Sequence, residues 1–214
     1  MKSKLLKDST VDTELNMVPR DEIVKILQKP FFSRDALVVA KELLGKLLVR
    51  RDEQGELIGK IVEVEAYKGK GDQASHAYKG ETQRNKVLFE GPGLAYVYFV
   101  YGNYFCLNVT TNERGVVLIR ALEPIKGTRI MQKRRGVRRH GNLTNGPGKL
   151  TQAMNITKDQ YGIDLTKGSE LFICDPQKKK KRLKIVSSKR IGIRVAVEKP
   201  WRFYIEGNKF ISRK

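Results

Sequence analysis

Hydrophobic positions follow two spacings along the chain, and the change between them separates predicted helices from predicted strands. Apolar residues between Leu37 and Leu44 recur at helical spacing after Ser33, a residue type that often caps a helix. This pattern predicts an amphipathic helix there. Residues 128–140 and 145–156 are two further helix candidates, and the first of them is rich in basic side chains.

β-rich segments separated by short, turn-like connections make up most of the remaining pattern. The predicted strands are, in order, LLVRRD, LIGKIVEVEAY, AYVYFVY, YFCLNVTT, VVLIRALEP, LFICD, LKIVSS, IGIRVAV and RFYIEG. The first two form a predicted hairpin, and the third to fifth form a predicted antiparallel meander. Since neither a linker nor an internal repeat interrupts the pattern, it predicts one α+β domain, a curved, largely antiparallel β-sheet flanked by helices.

Two segments fall outside the periodic pattern. Residues 1–18 mix lysines with short polar residues, which predicts a flexible basic tail ahead of a single domain over 19–214. Residues 68–93 are polar and rich in glycine, and they are long for a connection inside one domain. Loops of that length are often functional, so we expect chemistry near this loop.

The charge of the chain points to a polyanionic partner. It has 43 Lys and Arg against 23 Asp and Glu, a formal net charge of +20. This surplus favours nucleic acid first and an anionic membrane surface second. The longest apolar stretch, 94–101, is far shorter than the roughly 20 residues of a spanning helix, and nothing resembles a signal peptide. We therefore expect a cytoplasmic protein that does not cross a membrane.

Metal chemistry has little support in the sequence. The chain has 2 cysteines, Cys106 and Cys174, and neither lies in a CxxC motif. They cannot form a disulfide framework, and His76 has no second histidine or cysteine at metal-ligand spacing. On spacing alone, His76 is either an ordinary loop histidine or part of a site.

Carboxylates and tyrosines are the candidate chemical groups. Glu63 and Glu65 share one face of a predicted strand that ends at the glycine-rich loop, where a carboxylate could take a proton. The alternative is that both face solvent, and spacing alone cannot separate the two glutamates. Tyr96, Tyr98 and Tyr101 could stack on bases or simply pack on the sheet.

Basic residues form two clusters. The first lies within 126–140 and favours phosphate contact because of its density. Its candidate phosphate-binding residues are Arg134, Arg135, Arg138 and Arg139. The second, residues 178–182, fits a solvated loop as well as a phosphate site.

Several of these segments, in this order, resemble one known family. The segments are VEVEAYKGKGDQASHAYKGETQRN, GPGLAYVYFVYGNYFCLNVTT, VVLIRALEP, NGPGKLTQAMNI and KPWRFYIEG. Between about residues 30 and 208 the chain is similar to the alkyladenine DNA glycosylases, also called mammalian-type 3-methyladenine DNA glycosylases. The resemblance implies a monofunctional, monomeric base-excision repair enzyme without metal or cofactor. Such an enzyme flips alkylated or deaminated purines out of double-stranded DNA and hydrolyses the N-glycosidic bond, leaving an abasic site; in a bacterium it would act on the nucleoid.

The same resemblance assigns roles to individual residues. Glu65 would activate the attacking water, and Arg120 would help to hold that water. Tyr101 would wedge into the duplex where the base had been. The expected base pocket consists of Tyr67, His76, Tyr98 and Asn108, with Asn108 crowding the exocyclic amine of guanine.

A non-enzymatic nucleic-acid-binding protein remains the alternative from composition alone. It would explain the net charge of +20 equally well. It would not explain a carboxylate among the tyrosines, because an acidic group near phosphates weakens binding. An enzyme acting on RNA is disfavoured only by the resemblance.

Overall fold

The sheet is built from strands that pair antiparallel throughout. The computed structural model describes residues 25–100, 102–176 and 182–213. Within those ranges the strands are β1 (Lys25–Ile26), β2 (Leu47–Asp52), β3 (Gly55–Tyr67), β4 (Ala95–Val100), β5 (Tyr104–Thr110), β6 (Val116–Lys126), β7 (Leu171–Asp175), β8 (Ile185–Ser188) and β9 (Arg202–Ile205). The predicted tail 1–18, Tyr101 and nearly all of the basic run 178–182 lie outside the described residues.

Five α-helices and three short 3-10 turns accompany these strands in the described part of the chain. The helices are α1 (Lys29–Phe32), α2 (Ala36–Leu43), α3 (Val87–Glu90), α4 (Thr128–Arg135) and α5 (Pro147–Met154). The turns are Asn112–Arg114, His140–Asn142 and Lys158–Gln160. None of the helices described has the length and apolar composition needed to cross a membrane.

Strand β3 is the central strand of the sheet and pairs with β2, β6 and β9. The strand order is β1-β7-β2-β3-β6-β5-β4, and β9 pairs with both β3 and β8. On one side of β3, β2 pairs with its first half, and β9 takes over at Glu63–Glu65. On the other side β6 pairs with it from Ile58 to its last residue, Tyr67. The second half of β3 therefore runs between β6 and β9, and its residues 61–66 are all buried.

The hydrophobic core lies between the sheet and its helices. Fully buried side chains from α2, β3, β5, α4 and α5 meet in one cluster, which includes Leu43, Ile61, Leu107, Met131 and Leu150. Burying a side chain of this size contributes roughly 1.5–3 kcal/mol relative to exposing it. This cluster gives the second half of β3 a rigid support.

The pairing of β3 with β6 shifts register at three points, two of them on either side of Glu63. Ile61 pairs with Leu122, Glu63 with Ala121 and Val64 with Ile119, so Arg120 has no partner in the register. Such bulges re-aim side chains, and they occur often beside active sites. The irregularity lies where two glutamates of β3 face an arginine of β6.

The predicted fold class is confirmed: the protein is an α+β domain with a curved antiparallel sheet. The hairpin β2–β3 and the meander β4–β6 are confirmed as well. The cap of the first amphipathic helix was predicted wrongly. Asp35, not Ser33, caps α2, because its carboxylate accepts the Leu37 N–H at 2.8 Å. Ser33 instead ends α1, where its hydroxyl donates to the Lys29 carbonyl.

The strand predicted at 191–197 is absent from the structure. The segment forms bends and a turn, and Val195 and Val197 are exposed. Its first N–H, from Ile191, donates to the Glu65 carboxylate at 2.7 Å rather than to a neighbouring strand. The alternating apolar residues gave this segment the pattern of a strand, but its Ile191 N–H bonds the Glu65 side chain instead of a neighbouring strand.

Candidate active site

A cavity of about 460 Å³ opens beside the end of β3. Its walls come from β3, β4, β5 and β6, the loop after β3, and the segment after β8. Volumes of roughly 300–1,000 Å³ are usual for sites that bind small molecules. All but one of the described residues for which the resemblance implies a role at the base or the reacting bond line it. They are Tyr67, His76, Tyr98, Asn108 and Arg120.

The exception, Glu65, lies directly behind the cavity wall. Its side chain is fully buried, so the interpretation that it faces solvent is wrong. One carboxylate oxygen accepts the Ile191 N–H at 2.7 Å and lies 3.2 Å from Arg120 Nη1. The other accepts the Tyr67 hydroxyl at 2.7 Å. All three partners, the two hydrogen-bond donors Ile191 and Tyr67 and the ion-pair partner Arg120, line the cavity, so the carboxylate lies immediately behind them.

Glu63 is also fully buried, but it is the centre of a separate cluster. Its Oε1 accepts from Arg120 Nε at 2.9 Å, Arg202 Nε at 2.8 Å and the Ser212 hydroxyl at 2.7 Å, and Oε2 accepts the Ser212 N–H. Burial would raise the pKa of Glu63, but the Ser212 N–H and the charge of Arg120 outweigh it and hold this pKa below the ordinary value. Glu63 is therefore ionised at neutral pH.

Arg120 links the two glutamates. Burial opposes the charge on its guanidinium, but Glu65 and Glu63 raise the pKa of Arg120 above its ordinary value. The sequence resemblance placed Arg120 beside Glu65 and did not assign Glu63 any role. Arg202 and Ser212 lie 139 and 149 positions from Glu63, so spacing along the chain could not find them.

Aromatic side chains form the opposite wall of the cavity. The His76 ring lies edge-on to Tyr98, with 4.6 Å between ring centroids, and His76 Nδ1 is 2.8 Å from the Tyr96 hydroxyl. The Arg84 guanidinium stacks over Tyr98 at 5.1 Å. Asn108 is held by its Nδ2, which donates to the Tyr96 carbonyl at 3.0 Å. Tyr96 and Tyr98 lie on the same face of β4, with 5.0 Å between their ring centroids, and both border the cavity.

His76 should make stability depend on pH. Burial first, and the charge of Arg84 second, lower the pKa of His76 below 6.5 in the folded protein. The unfolded chain then binds a proton at this residue more readily, so stability is lost as pH falls below about 6.5. We expect the thermal midpoint of His76→Gln to fall less than that of the wild type between pH 7.5 and 5.5. Equal slopes for the two proteins would contradict this assignment.

A second buried ion pair fixes the loop after β3. Asp72 and Arg190 have fully buried side chains and share two hydrogen bonds, of 2.6 and 2.8 Å. The Arg190 guanidinium also lies 4.5 Å from the centroid of the Tyr67 ring. Asp72 lies in the glycine-rich loop 68–93. The pair joins the glycine-rich loop to the segment that carries the Ile191 N–H.

The predicted phosphate-binding arginines divide into two kinds. Arg134 is partly buried and pairs with Asp52 at 2.7 Å, and Arg135 donates to Gln152 of α5. Arg138 and Arg139 follow α4 and are exposed. The latter two are therefore the better candidates for contact with a phosphate, and the assignment stays a prediction.

The β4–β5 hairpin exposes aromatic rings near its tip. Phe99 and Tyr104 are 50% and 44% exposed. Tyr101, the predicted wedge, is outside the described residues. The start of α5 packs closely against this hairpin, since a Cβ at Gly148 would lie 2.8 Å from the Tyr104 ring. This close approach accounts for the second glycine in NGPGKL, Gly148.

No group of three or more His, Cys, Asp or Glu side chains in the described part of the chain could hold a metal ion. The prediction that the protein needs neither metal nor cofactor remains a prediction. Cys106, which borders the cavity, has its thiol pKa raised to about 11 by burial. It is therefore protonated at neutral pH.

Residues 30–209 match the family model described as methylpurine-DNA glycosylase (MPG). A "putative 3-methyladenine DNA glycosylase" of Carboxydothermus hydrogenoformans is 47% identical over 192 residues, 88% of this chain and 100% of that protein. Proteins of the same name from Clostridium acetobutylicum and Methanocella arvoryzae are 47% and 45% identical, over 87% and 88% of this chain and 97% and 96% of theirs.

These matches define the class of protein: a DNA glycosylase, a hydrolase whose substrate is DNA. More specifically, the chain belongs to the methylpurine-DNA glycosylase family. The resemblance stated from the sequence is thereby confirmed. The roles of individual residues are not given by the matches and rest on the geometry above.

Proposed function

We propose that this protein flips alkylated or deaminated purines out of double-stranded DNA and hydrolyses their N-glycosidic bond, leaving an abasic site. The single observation that carries the proposal is the buried Glu65, whose two hydrogen-bond donors and one ion-pair partner line an aromatic cavity of about 460 Å³. The names of the relatives, which refer to 3-methyladenine, agree with a methylated purine as substrate.

Glu65 acts as the general base in this mechanism. Breaking the bond between the base and C1′ builds positive charge on the sugar, which a nearby carboxylate stabilises. A water molecule held between Glu65 and Arg120 adds to C1′ and gives its proton to Glu65. The bonding electrons leave with the base. Alkylated purines such as 3-methyladenine are already cationic and leave as neutral molecules, so they need no second carboxyl acid. A neutral purine such as hypoxanthine leaves as an anion, which takes its proton from solvent.

The aromatic wall binds the flipped base. Tyr67, His76 and Tyr98 present ring surfaces, and a cationic base against such rings gains about 0.5–2 kcal/mol. The backbone N–H near His76 donates to the purine edge. Asn108 crowds the exocyclic amine of guanine and so disfavours normal guanine. Flipping costs a few kcal/mol, and least at damaged pairs, which adds selectivity before any pocket contact forms.

Tyr101 fills the gap that the flipped nucleotide leaves. We expect Tyr101→Ala to lower the single-turnover rate roughly tenfold on a paired lesion, because aromatic stacking on a base is worth about 1–3 kcal/mol. The loss should be smaller for the same lesion in a bulge, which has less stacking to disrupt. Rates compared on the two duplexes test this. Equal losses would place Tyr101 in the pocket or the core.

Arg138 and Arg139 contact phosphates in this proposal. Each phosphate contact contributes about −0.9 to the slope of log affinity against log salt concentration. Arg138→Gln with Arg139→Gln should therefore make the slope shallower by up to about 2. The matched control neutralises two exposed lysines, Lys25 and Lys41, the former on the sheet edge opposite β4. If both double variants give the wild-type slope, the two arginines face away from DNA.

The direct test uses duplexes that carry one 3-methyladenine, hypoxanthine or ethenoadenine. After incubation with the protein, alkali cleaves any abasic site, and the strand break is measured on a gel. We expect breaks at the lesion only. Binding without any break would favour the alternative, a non-enzymatic nucleic-acid-binding protein.

The remaining proposals concern the setting of the reaction. The protein works as a monomer without metal or cofactor, on chromosomal DNA in the cytoplasm, and carries out the first step of base excision repair. Residues 19–214 supply the catalytic domain, and 1–18 are an accessory basic tail.

A further inference from the structure

We propose that Glu63 and Ser212 are positioning residues that hold Arg120 in the orientation that Glu65 needs. The inference rests on the proposed function, since it assigns the support of the same catalytic group. Neither Glu63 nor Ser212 lines the cavity, whereas Arg120 does. Both therefore act through Arg120 rather than on the substrate.

All three guanidinium nitrogens of Arg120 have a partner in this arrangement. Nε donates to Glu63 at 2.9 Å, Nη1 lies 3.2 Å from Glu65, and Nη2 donates to the Ser212 hydroxyl at 3.3 Å. A planar guanidinium with three partners in different directions cannot rotate without losing one of them. Arg120 contacts two carboxylates, and its contact with Glu63, at 2.9 Å, is shorter than its contact with Glu65, at 3.2 Å. Glu63 is therefore the principal anchor of Arg120.

Ser212 closes the cluster from the other side. Its hydroxyl donates to Glu63 Oε1 at 2.7 Å while accepting from Arg120, and its N–H donates to Glu63 Oε2. The hydroxyl is thus the only group in this cluster that bonds both the anchor carboxylate and the guanidinium among the contacts described here. Removing it leaves the backbone bond to Glu63 in place and takes away the two hydroxyl bonds, to Glu63 Oε1 and to Arg120 Nη2, that fix these groups relative to each other.

Charge balance explains why a second arginine is present. Glu63 and Glu65 are two carboxylates near one Arg120, and Arg202 Nε supplies the further positive charge at 2.8 Å from Glu63. Buried charges need such compensation. With Arg202 satisfying Glu63, Arg120 remains available to Glu65 and to the cavity.

The test compares Ser212→Ala with Ser212→Thr, which restores the hydroxyl. We expect the single-turnover rate on an ethenoadenine duplex, at saturating protein, to fall roughly tenfold in Ser212→Ala, since small misplacements of catalytic groups have large effects on rate. Ser212→Thr should recover most of that loss. Duplex affinity and the thermal midpoint should stay near the wild-type values, which a merely structural role would not predict.

Ser187→Ala is the matched control. Ser187→Ala likewise removes a hydroxyl, which makes one hydrogen bond, of 2.6 Å to the Pro200 carbonyl, whereas the Ser212 hydroxyl makes two; no hydrogen bond joins Ser187 to Arg120 among the described contacts. We expect it to react at the wild-type rate. Glu63→Gln should slow the reaction further, although it removes a buried charge and can unfold the protein. The Ser212 pair therefore carries the test.

Four outcomes would overturn the inference alone. The first two are a wild-type rate in Ser212→Ala and no recovery of the rate in Ser212→Thr. The other two are an equal loss of rate in Ser187→Ala and a lower thermal midpoint of Ser212→Ala that accompanies its loss of rate. A wild-type protein that releases no base from any of the lesion duplexes would instead overturn the proposed function, and this inference with it. The wild-type reaction thus separates the two failures.

Discussion

Glu65→Gln is expected to lower the single-turnover rate of base release by at least about 100-fold, the contribution usual for a positioned general base. Glutamine keeps the shape of the side chain. Its oxygen can still accept from Ile191 and Arg120, and its amide can donate to the Tyr67 hydroxyl. It cannot take a proton from water. Affinity for the lesion duplex should therefore change little, and the rate and the dissociation constant measured together would show the difference.

The matched control for this variant is Glu56→Gln on the same strand. Glu56 lies at the start of β3, where it pairs with Arg51 and Lys126 in a partly exposed position. Removing the charge of Glu56 should leave the single-turnover rate of base release unchanged. If Glu65→Gln reacted at the wild-type rate, water activation would have to be assigned to another group, and Glu63 would be examined next. A loss of affinity equal to the loss of rate would place Glu65 in binding instead.

The hairpin β2–β3 and the meander β4–β6 could be predicted from the sequence because they follow from local periodicity. The apolar runs in β4, β5 and β6 are separated by tight turns, so their antiparallel pairing needed no long-range information. The first amphipathic helix was predicted for the same reason. Its cap was misplaced, because Ser33 and Asp35 are both good capping residues and only the backbone path distinguishes them.

The support of the candidate site could not be predicted, because it depends on contacts far apart in the chain. Glu63 and Glu65 are equivalent by strand spacing. They differ only because β6 slips by a residue at Arg120 and because Ser212 and Ile191 approach from distant segments. The segment 191–197 was predicted wrongly for a related reason, since its backbone binds a side chain. Family resemblance pointed to Glu65, Arg120 and Tyr67, but Glu63, Ser212 and Ile191, which hold these groups, emerged only from the structure.

Asp72→Ala is expected to lower the free energy of unfolding by about 3–5 kcal/mol, because it leaves the fully buried Arg190 without its carboxylate partner. Asp72 also accepts the N–H groups of Lys68 and Ala74, so the turn after β3 loosens as well. For a domain of this size the loss corresponds to a thermal midpoint lower by roughly 10 °C. Thermal unfolding followed by circular dichroism measures it directly.

Glu206→Ala is the control for that variant, because Glu206 pairs with Lys184 at 3.8 Å in an exposed position. Exposed pairs contribute about 0–1 kcal/mol, so its midpoint should stay near that of the wild type. Asp72→Ala should also slow base release when the rate is measured at a temperature well below the thermal midpoint of this variant, where the protein is folded. Arg190 precedes Ile191, whose N–H holds Glu65, and a loosened Arg190 would let this donor move. An unchanged midpoint would mean that Arg190 finds another buried partner, and an unchanged rate would mean that Ile191 keeps its place without the ion pair.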